Sequence, residues 1–458
     1  MELKKFIKDV NDKVPAYSEF LAKNSKTVDS EWQSIPLINK KDYLLSYPLE
    51  KICWNGNLDG CHLIGASSGF SKSGTIFWPK RPDDEKNALE ATENMLVKNH
   101  GLDRKKTLIL VCLAFGTWIG GMQIATVIRT LASSGKYKLT VATPSLNLSE
   151  SVEIYERFGK NFDQTIWLTN PSNVNLITAL LKKRGNKIDH GSIFFGVVGE
   201  YFTENFREKV AADYGHESGE PFCIWTGYGS ADTGDIASET RETIKLRKFF
   251  HKNHDMCKRF FGSENAPMIL AKSSNVFVEI IDENIIVTKD QLIPLVRYDT
   301  KDAGGLLTKA RLEDSPVPKE ITSALPEEML YVYGRASDTV IFYGTNLLVG
   351  SINDFLFSLP ARYCYGGFFE VRTKKRDGVM FFNFTLFLNV EPAGDGLAAE
   401  YESELIAFLK SQSLEFNAKY DALCRSIGES LIKIELKKIN FSTAALKHKY
   451  VIEEDANV

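Results

Sequence analysis

Residues 107–128 read TLILVCLAFGTWIGGMQIATVI, 22 positions without a formal charge, and what they form decides the fold. The stretch is long enough to cross a bilayer. Its internal texture argues against a span. TLILVCL (107–113) is apolar and β-branched like a buried strand, FGTW (115–118) interrupts it, and Gly120-Gly121 marks a turn. MQIATVIRTLAS (122–133) then has the pattern of an amphipathic helix. Strand, glycine turn and helix is the better reading, and the alternation continues. YKLTVAT (137–143) precedes SESVEIYERFG (149–159), and QTIWLT (164–169) precedes NVNLITALLKKRG (173–185). SIFFGVVG (192–199) precedes TENFREKVAADYG (203–215). Asn170-Pro171-Ser172 and Thr203 supply helix starts, and Gly185 and Gly215 supply stops. Repeated units of this kind predict an α/β fold, with parallel sheet covered by helices.

A chain of 458 residues, 43% hydrophobic and 25% charged, has room for two or three domains with their own cores. A net charge of −3 leaves no global footprint for nucleic acid or an anionic membrane. Seven scattered cysteines fit a reducing compartment, and MELKKFIKDVNDKV (1–14) is a charged amphipathic helix, not a signal peptide. A cytoplasmic protein is expected.

Beyond residue 270 the texture changes to short strands. NVFVEIIDENIIVT (275–288) reads as a hairpin turning at Asp282-Glu283-Asn284. The last 120 residues read as a small α+β domain. Its parts are a helix near 349–358, a hairpin of YCYGGFFEVRTKK (363–375) with GVMFFNFTLFLNVE (378–391), a helix over 397–421, and the strand LIKIELKKINF (431–441). The joint is expected near 334–340.

Several segments carry chemistry. In CHLIGASSGFSKSGTIFWPK (61–80) a loop joins two apolar strands. Gly69 and Gly74 free backbone N–H groups to turn toward an anion, Ser67, Ser68, Ser71, Ser73 and Thr75 add hydroxyls, and Lys72 adds charge. The same residues also read as a solvated turn. Gly69-x4-Gly74 approaches the Walker A spacing, but Thr75-Ile76 stands where that motif needs Lys-Ser or Lys-Thr, and a strand follows instead of a helix. In CIWTGYGSADTGD (223–235), Tyr228 beside Gly229 offers a stacking face for a flat base, and Asp232 an acid for hydrated Mg²⁺. PLVRYDTKDAG (294–304) sets Asp302 where a carboxylate can accept both ribose hydroxyls. GRASDTVIFYGTN (334–346) puts Arg335 at a turn, and STAALKHKY (442–450) puts Lys447 and Lys449 after a strand. Taken singly, each also reads as core, turn cap or solvated tail. His251, His254 and Cys257 drift around a helix without a fourth ligand, which argues against zinc. No Gly-x-Ser-x-Gly elbow supports a serine hydrolase.

Taken in order, these segments resemble the adenylate-forming ligases, and within them the phenylacetate–CoA ligase-like branch. ASSGFSKSGT falls on the family's Ser-Ser-Gly-Thr-Thr-Gly-Lys-Pro-Thr loop, with Ser67, Ser68, Gly69, Ser71 and Thr75 matching. IPLINKKDYLLSYP (35–48) is similar to the segment that precedes that loop, and VVGEYFTENFRE (197–208) to the Gly-Glu segment along the adenine. TGYGSAD resembles Tyr-Gly-x-x-Glu, PLVRYDTKDAG resembles Pro-Leu-Ile-Arg-Tyr-x-Thr-Gly-Asp, and GRASDTVIFYGTN resembles the Gly-Arg-x-Asp-Asp hinge motif. The likeness covers roughly residues 35–450. Departures are concentrated in the loop, where Lys72 and Ser73 replace Gly and Lys, Gly74 replaces Pro, and Phe70 replaces Thr.

The resemblance implies a large multi-sheet N-terminal adenylation domain (1–335) and a small mobile C-terminal lid (336–458). It implies ATP and Mg²⁺, with CoA as acceptor, or an amine or carrier protein in its place. Ser67, Ser68, Gly69, Ser71 and Thr75 would hold phosphates; Gly199, Glu200, Tyr228, Gly229 and Ser230 the adenine side; Asp302 and Arg335 the ribose; Asp232 the metal. Lys447 would be the adenylation lysine, with Lys449 as its rival, and Ser337 and Asp338 the hinge. Phe115, Trp118, Gly120 and Gly227 would line a pocket for an aromatic or cyclic acid. A relative that keeps the fold without catalysis is the third reading, because of the altered loop.

Overall fold

The computed structural model describes residues 2–66, 77–185, 191–217, 221–263, 265–335, 339–343, 345–376, 379–392, 395–412, 414–439 and 450–453. A hairpin of β1 (Leu63–Ala66) and β2 (Phe77–Lys80) precedes the main sheet. Five parallel strands follow: β3 (Thr107–Val111), β4 (Leu139–Ala142), β5 (Gln164–Thr169), β6 (Ile193–Val197) and β7 (Ile224–Ser230). Helices Ile119–Ser133, Leu148–Phe158, Pro171–Lys183 and Glu204–Asp213 alternate with them.

The uncharged stretch 107–128 is thus strand, turn and helix. Every residue of β3 is buried, because helices cover both faces of the sheet there and the strand needs no polar side. Gly121 lets the helix start close above the turn, since a Cβ at that position would lie 2.0 Å from the Ala114 carbonyl oxygen. Among the described residues no helix is long and apolar enough to cross a membrane.

The sheet continues through β8 (Gly234–Ser238), β9 (Met268–Lys272), β10 (Val276–Ile281), β11 (Asn284–Lys289), β12 (Leu295–Thr308) and β13 (Glu328–Arg335). All of these pair antiparallel, and the described order is β10-β11-β12-β13-β9-β8-β7-β6-β5-β3-β4. The β10–β11 hairpin turns on Asp282 and Glu283, both left-handed at φ 48° and 63°, and Asn284 already belongs to the next strand. Strand β7 includes Tyr228, Gly229 and Ser230, so these three lie on the sheet itself.

Residues after β13 build a second sheet and core. Beside the pair β14 (Thr339–Phe342) and β15 (Thr345–Leu348) lie β16 (Tyr365–Arg376), β17 (Val379–Leu388), β18 (Ile432–Lys438) and β19 (Val451–Glu453), the last four in the order β18-β17-β16-β19. The helix expected over 397–421 is two helices, Asp395–Gln412 and Leu414–Ile427. Phe342, Leu356, Phe369, Phe384, Leu405 and Phe416 pack together here. Contacts with the larger part are both apolar and polar. Phe206 and Phe357 sit 6.1 Å apart between ring centroids, and Ile439 packs into the core under β3–β6. Thr203 donates its hydroxyl to the Asp354 carboxylate, which burial pushes up to about 7.

Underneath β7 lies a fully buried quartet. Arg207 bonds Glu204 at 3.0 Å and Glu239 at 2.6 Å; Arg247 approaches Glu204 at 3.3 Å and Glu239 at 3.4 Å. The second Glu239 oxygen accepts the Thr226 backbone N–H at 3.1 Å, so the quartet holds the strand that carries Tyr228. Two positive and two negative groups cancel, and removing one leaves a buried charge uncompensated. Glu239→Gln should therefore cost about 3–5 kcal/mol of unfolding free energy, read from urea transitions.

A second buried group gives a pH signature. His100 is 2% exposed, packed 4.4 Å from Trp225 and 4.9 Å from Phe194, and neither ring nitrogen has a hydrogen-bond partner. Burial, then the nearby cations Arg241 and Lys105, lower its pKa to about 3. The native ring stays neutral while the unfolded ring binds a proton below its ordinary value near 6.5. Stability contributed by His100 is therefore present above that pH and falls toward pH 3, by up to about 1.4 kcal/mol per pH unit. Urea midpoints at pH 7, 6 and 5 should show this slope, and His100→Phe should flatten it.

Candidate active site at the carboxyl edge of the parallel strands

Strands β3, β5, β6 and β7 run parallel and end on one edge, where open α/β sheets receive ligands. Phe115 and Trp118 follow β3, Gly199 and Glu200 follow β6, and Tyr228 to Asp232 finish β7. Strand β7 is also where the sheet changes character, parallel to β6 and antiparallel to β8. The β1–β2 hairpin is tied to this edge from both sides. Ala66 pairs with Trp118 and donates to the Thr117 carbonyl at 2.6 Å, while Lys80 Nζ of β2 donates to the Ala231 carbonyl at 3.3 Å. Ser67, Ser68, Gly69, Ser71 and Thr75 lie outside the described residues, as do Ser337, Asp338, Lys447 and Lys449.

Several predicted residues are brought together. Tyr228 donates its hydroxyl to Asp302 Oδ2 at 2.8 Å, and Asp302 on β12 stands in register with Arg335 on β13. Gly229 sits at a bulge, where a Cβ would lie 2.2 Å from the Gly234 carbonyl oxygen, so the turn beyond β7 depends on its lack of a side chain. Ser230 and Thr233 close that turn through hydroxyls 3.1 Å apart. Gly199 is left-handed at φ 89° and exposed, while Gly227 and Tyr228 are half-buried. Phe115 and Trp118 are half-buried and Gly120 exposed on the same edge.

Glu200 has a visible structural job. Its carboxylate accepts the Ser172 N–H and hydroxyl, each at 3.0 Å, and so caps the positive end of helix Pro171–Lys183. Ser172 and Glu200 lie 28 residues apart, so no local pattern marks this cap.

Asp232 lies in the turn after β7 and is buried. Its Oδ2 accepts the Tyr298 hydroxyl at 2.5 Å and the Lys40 ammonium at 2.8 Å. Gln291 donates to the Asp232 carbonyl at 2.6 Å, and Lys289 Nζ donates to the Thr233 and Asp235 carbonyls at 2.7 and 2.6 Å. Burial lowers the pKa of Lys289 to about 8 and lowers that of Lys80 as well. Lys40, Lys80, Lys289, Gln291 and Tyr298 were missed by motif reading. Lys40, Lys80 and Tyr298 do lie inside quoted segments, 35–48, 61–80 and 294–304, but no motif position singles them out.

The fit of this acid to Mg²⁺ is poor. A hydrated magnesium needs an anionic oxygen with room for water and phosphate, and here the carboxylate is already neutralised by an ammonium. Among the described residues no group of three or more His, Cys, Asp or Glu gathers to hold a metal ion. The expected single helix with His251, His254 and Cys257 is two helices, Arg241–Lys252 and His254–Phe261, broken at Asn253. Cys257 is buried in the core, and His251 bonds Asn205 at 2.8 Å. All seven cysteines are free thiols.

No family model matches the chain, and no curated protein matches its sequence. Solved structures do match. A 2-hydroxyisobutyryl-CoA ligase in the postadenylation state, in complex with R3-HIB-AMP, superposes with a TM-score of 0.67 at 12% identity, covering 99% of this chain and 88% of that one. The same ligase with 2-HIB-AMP and CoA in the thioesterification state gives 0.53 at the same identity and coverage. AtGH3.15, an acyl acid amido synthetase in complex with 2,4-DB, gives 0.51 at 11% identity, covering 95% of this chain and 86% of that one. The chain has the fold of the adenylate-forming ligases over nearly its whole length.

Proposed function

We infer that the protein activates a carboxylic acid with ATP as an acyl-adenylate and then transfers the acyl group to CoA. The observation that carries this reading is the meeting of Tyr228, Asp302 and Arg335 beside the anchored strands of the serine-rich loop, on a sheet with the adenylate-forming fold.

In the first step a substrate carboxylate oxygen bonds to the α-phosphorus of ATP, and the bond to the pyrophosphate oxygen breaks. In the second, the thiol attacks the acyl carbon, loses its proton and releases AMP. Both steps gather negative charge at a fixed place, so they require held donors and cations and no protein nucleophile. The base stacks on Tyr228 with Gly199 and Gly229 beside it, and Asp302 accepts the ribose hydroxyls with Arg335 at its side. Ser230 completes this wall. The hydroxyls of Ser67, Ser68, Ser71 and Thr75 and the backbone at Gly69 take the β- and γ-phosphates. Lys447 bridges the substrate carboxylate and α-phosphate. Asp232 is held by Lys40 and is not assigned a metal; magnesium bound with ATP would supply charge neutralisation at the phosphates.

Residues 1–335 act as the adenylation domain and 336–458 as a lid that turns about Ser337 and Asp338. Phe115, Trp118, Gly120 and Gly227 supply a pocket whose aromatics favour an aromatic or cyclic acid, in line with the phenylacetate–CoA ligase-like branch. Free thiols throughout fit a reducing cytoplasm. A second reading, transfer to an amine, draws support from the amido synthetase likeness. A carrier protein as acceptor is a further form of it.

Pyrophosphate release from ATP and Mg²⁺ should rise with at least one member of a carboxylic acid panel. A flat response across the panel would leave the non-catalytic reading, for which the altered loop at Phe70, Lys72, Ser73 and Gly74 is the ground. Mass analysis of products with CoA or amines assigns the acceptor. Lys447→Ala should slow adenylation about 10²–10³-fold, with Lys449→Ala close to the parent enzyme. Equal losses, or a loss confined to Lys449→Ala, would reassign the lysine.

A further inference from the structure

Lys40 is not an incidental surface partner of Asp232. It opens a short helical turn, Lys40–Leu44, capped by the Asn39 side chain. The residues before it are locked to β12. Ile38 donates to the Arg297 carbonyl at 3.2 Å and accepts from the Asp299 N–H at 3.0 Å, bridging Tyr298. The Arg297 guanidinium reaches the carbonyls of Trp32, Gln33 and Ile35 at 3.0, 3.0 and 2.5 Å. One strand therefore fixes both donors to Asp232: Tyr298 directly, and Lys40 through the paired backbone at Ile38. The carboxylate is 6% exposed and the lysine side chain 34%, so the ammonium stands between a buried acid and open space. One of its three N–H groups serves Asp232, and an ammonium of this kind can point the others at an anion. The turn that holds it also receives Lys80 from β2, the strand that leads away from the serine-rich loop.

We propose that Lys40, pinned by Asp232 and Tyr298, is the cation that this site presents to the phosphate groups of its nucleotide, in the place where the resemblance implies a protein-bound Mg²⁺. The proposal rests on the ATP reading above and adds a residue and a charge to it. Asp232 and Tyr298 then act as positioning residues, holding the ammonium at one point while the nucleotide comes and goes.

Calorimetric titration of ATP into the full chain, once in EDTA and once in Mg²⁺, tests this. The parent protein binds ATP in EDTA. Lys40→Arg keeps that binding within about threefold, whereas Lys40→Met loses on the order of 10–100-fold, the value of one charge-assisted contact. The double variant Lys40→Met with Asp232→Asn leaves no buried lone charge, so it stays folded and shows the same loss. Lys40→Met alone also gains a Mn²⁺ site, visible by electron paramagnetic resonance without nucleotide, because the carboxylate is vacated; the double variant lacks it. ATP binding that requires Mg²⁺ and is untouched by all three changes would overturn the assignment of Lys40 while leaving the nucleotide reading intact. Failure of the parent protein to bind ATP in either buffer would overturn both.

Discussion

Strand β7 is the constraint on which the rest depends. It pairs parallel with β6 and antiparallel with β8, so it joins the helix-covered half of the sheet to the meandering half. Such a strand has its residues in demand from both sides, and its position must be held without slippage. The buried Arg207, Arg247, Glu204 and Glu239 group does this from below, with the Glu239 carboxylate fixing the Thr226 N–H. A paired quartet of this kind is weak evidence for stability in itself, because desolvation offsets most of the attraction. Its use here is positional: in the observed register of β7 the four charges are paired and the Thr226 N–H is satisfied together with them.

From that fixed strand the site follows with little freedom. Gly229 closes the bulge, and Tyr228 is then set to meet Asp302 from β12. Beyond the bulge, the turn at 231–235 collects three lysines. Two of them, Lys80 and Lys289, are buried against carbonyl oxygens, and burial depresses both pKa values. The third, Lys40, faces a carboxylate and keeps part of its side chain in solvent. A wall built from buried ammonium groups and main-chain carbonyls presents positive charge on a rigid frame, which suits a polyanionic ligand.

The βα units were legible because each strand is an apolar run bounded by turn and cap residues, and the structure places helices Ile119–Ser133 through Glu204–Asp213 between them. Tyr228, Asp302 and Arg335 were legible as motif members; register pairs Asp302 with Arg335, and the Tyr228 hydroxyl reaches the Asp302 carboxylate. Lys40 was not legible, because its role depends on Ile38 bridging Tyr298, a pairing between distant segments with no local pattern. The Glu200 cap was not legible for the same reason, since Ser172 at a helix start upstream claims its carboxylate. The break at Asn253 escaped notice because hydrophobic periodicity runs on through KFFHKNHDMCKRFF, while tertiary packing of Phe250, Cys257 and Phe260 bends the chain.

The central claim is that a nucleotide acylated at its α-phosphate sits along β7 with its ribose at Asp302. A crystal structure with a non-hydrolysable acyl-adenylate analogue tests it most directly. The account predicts the analogue's ribose hydroxyls within hydrogen-bond distance of the Asp302 carboxylate, the base against Tyr228 and the acyl group toward Phe115 and Trp118. An analogue bound away from the carboxyl edge of β3–β7, with Tyr228 and Asp302 still bonded only to each other and to protein, would contradict it.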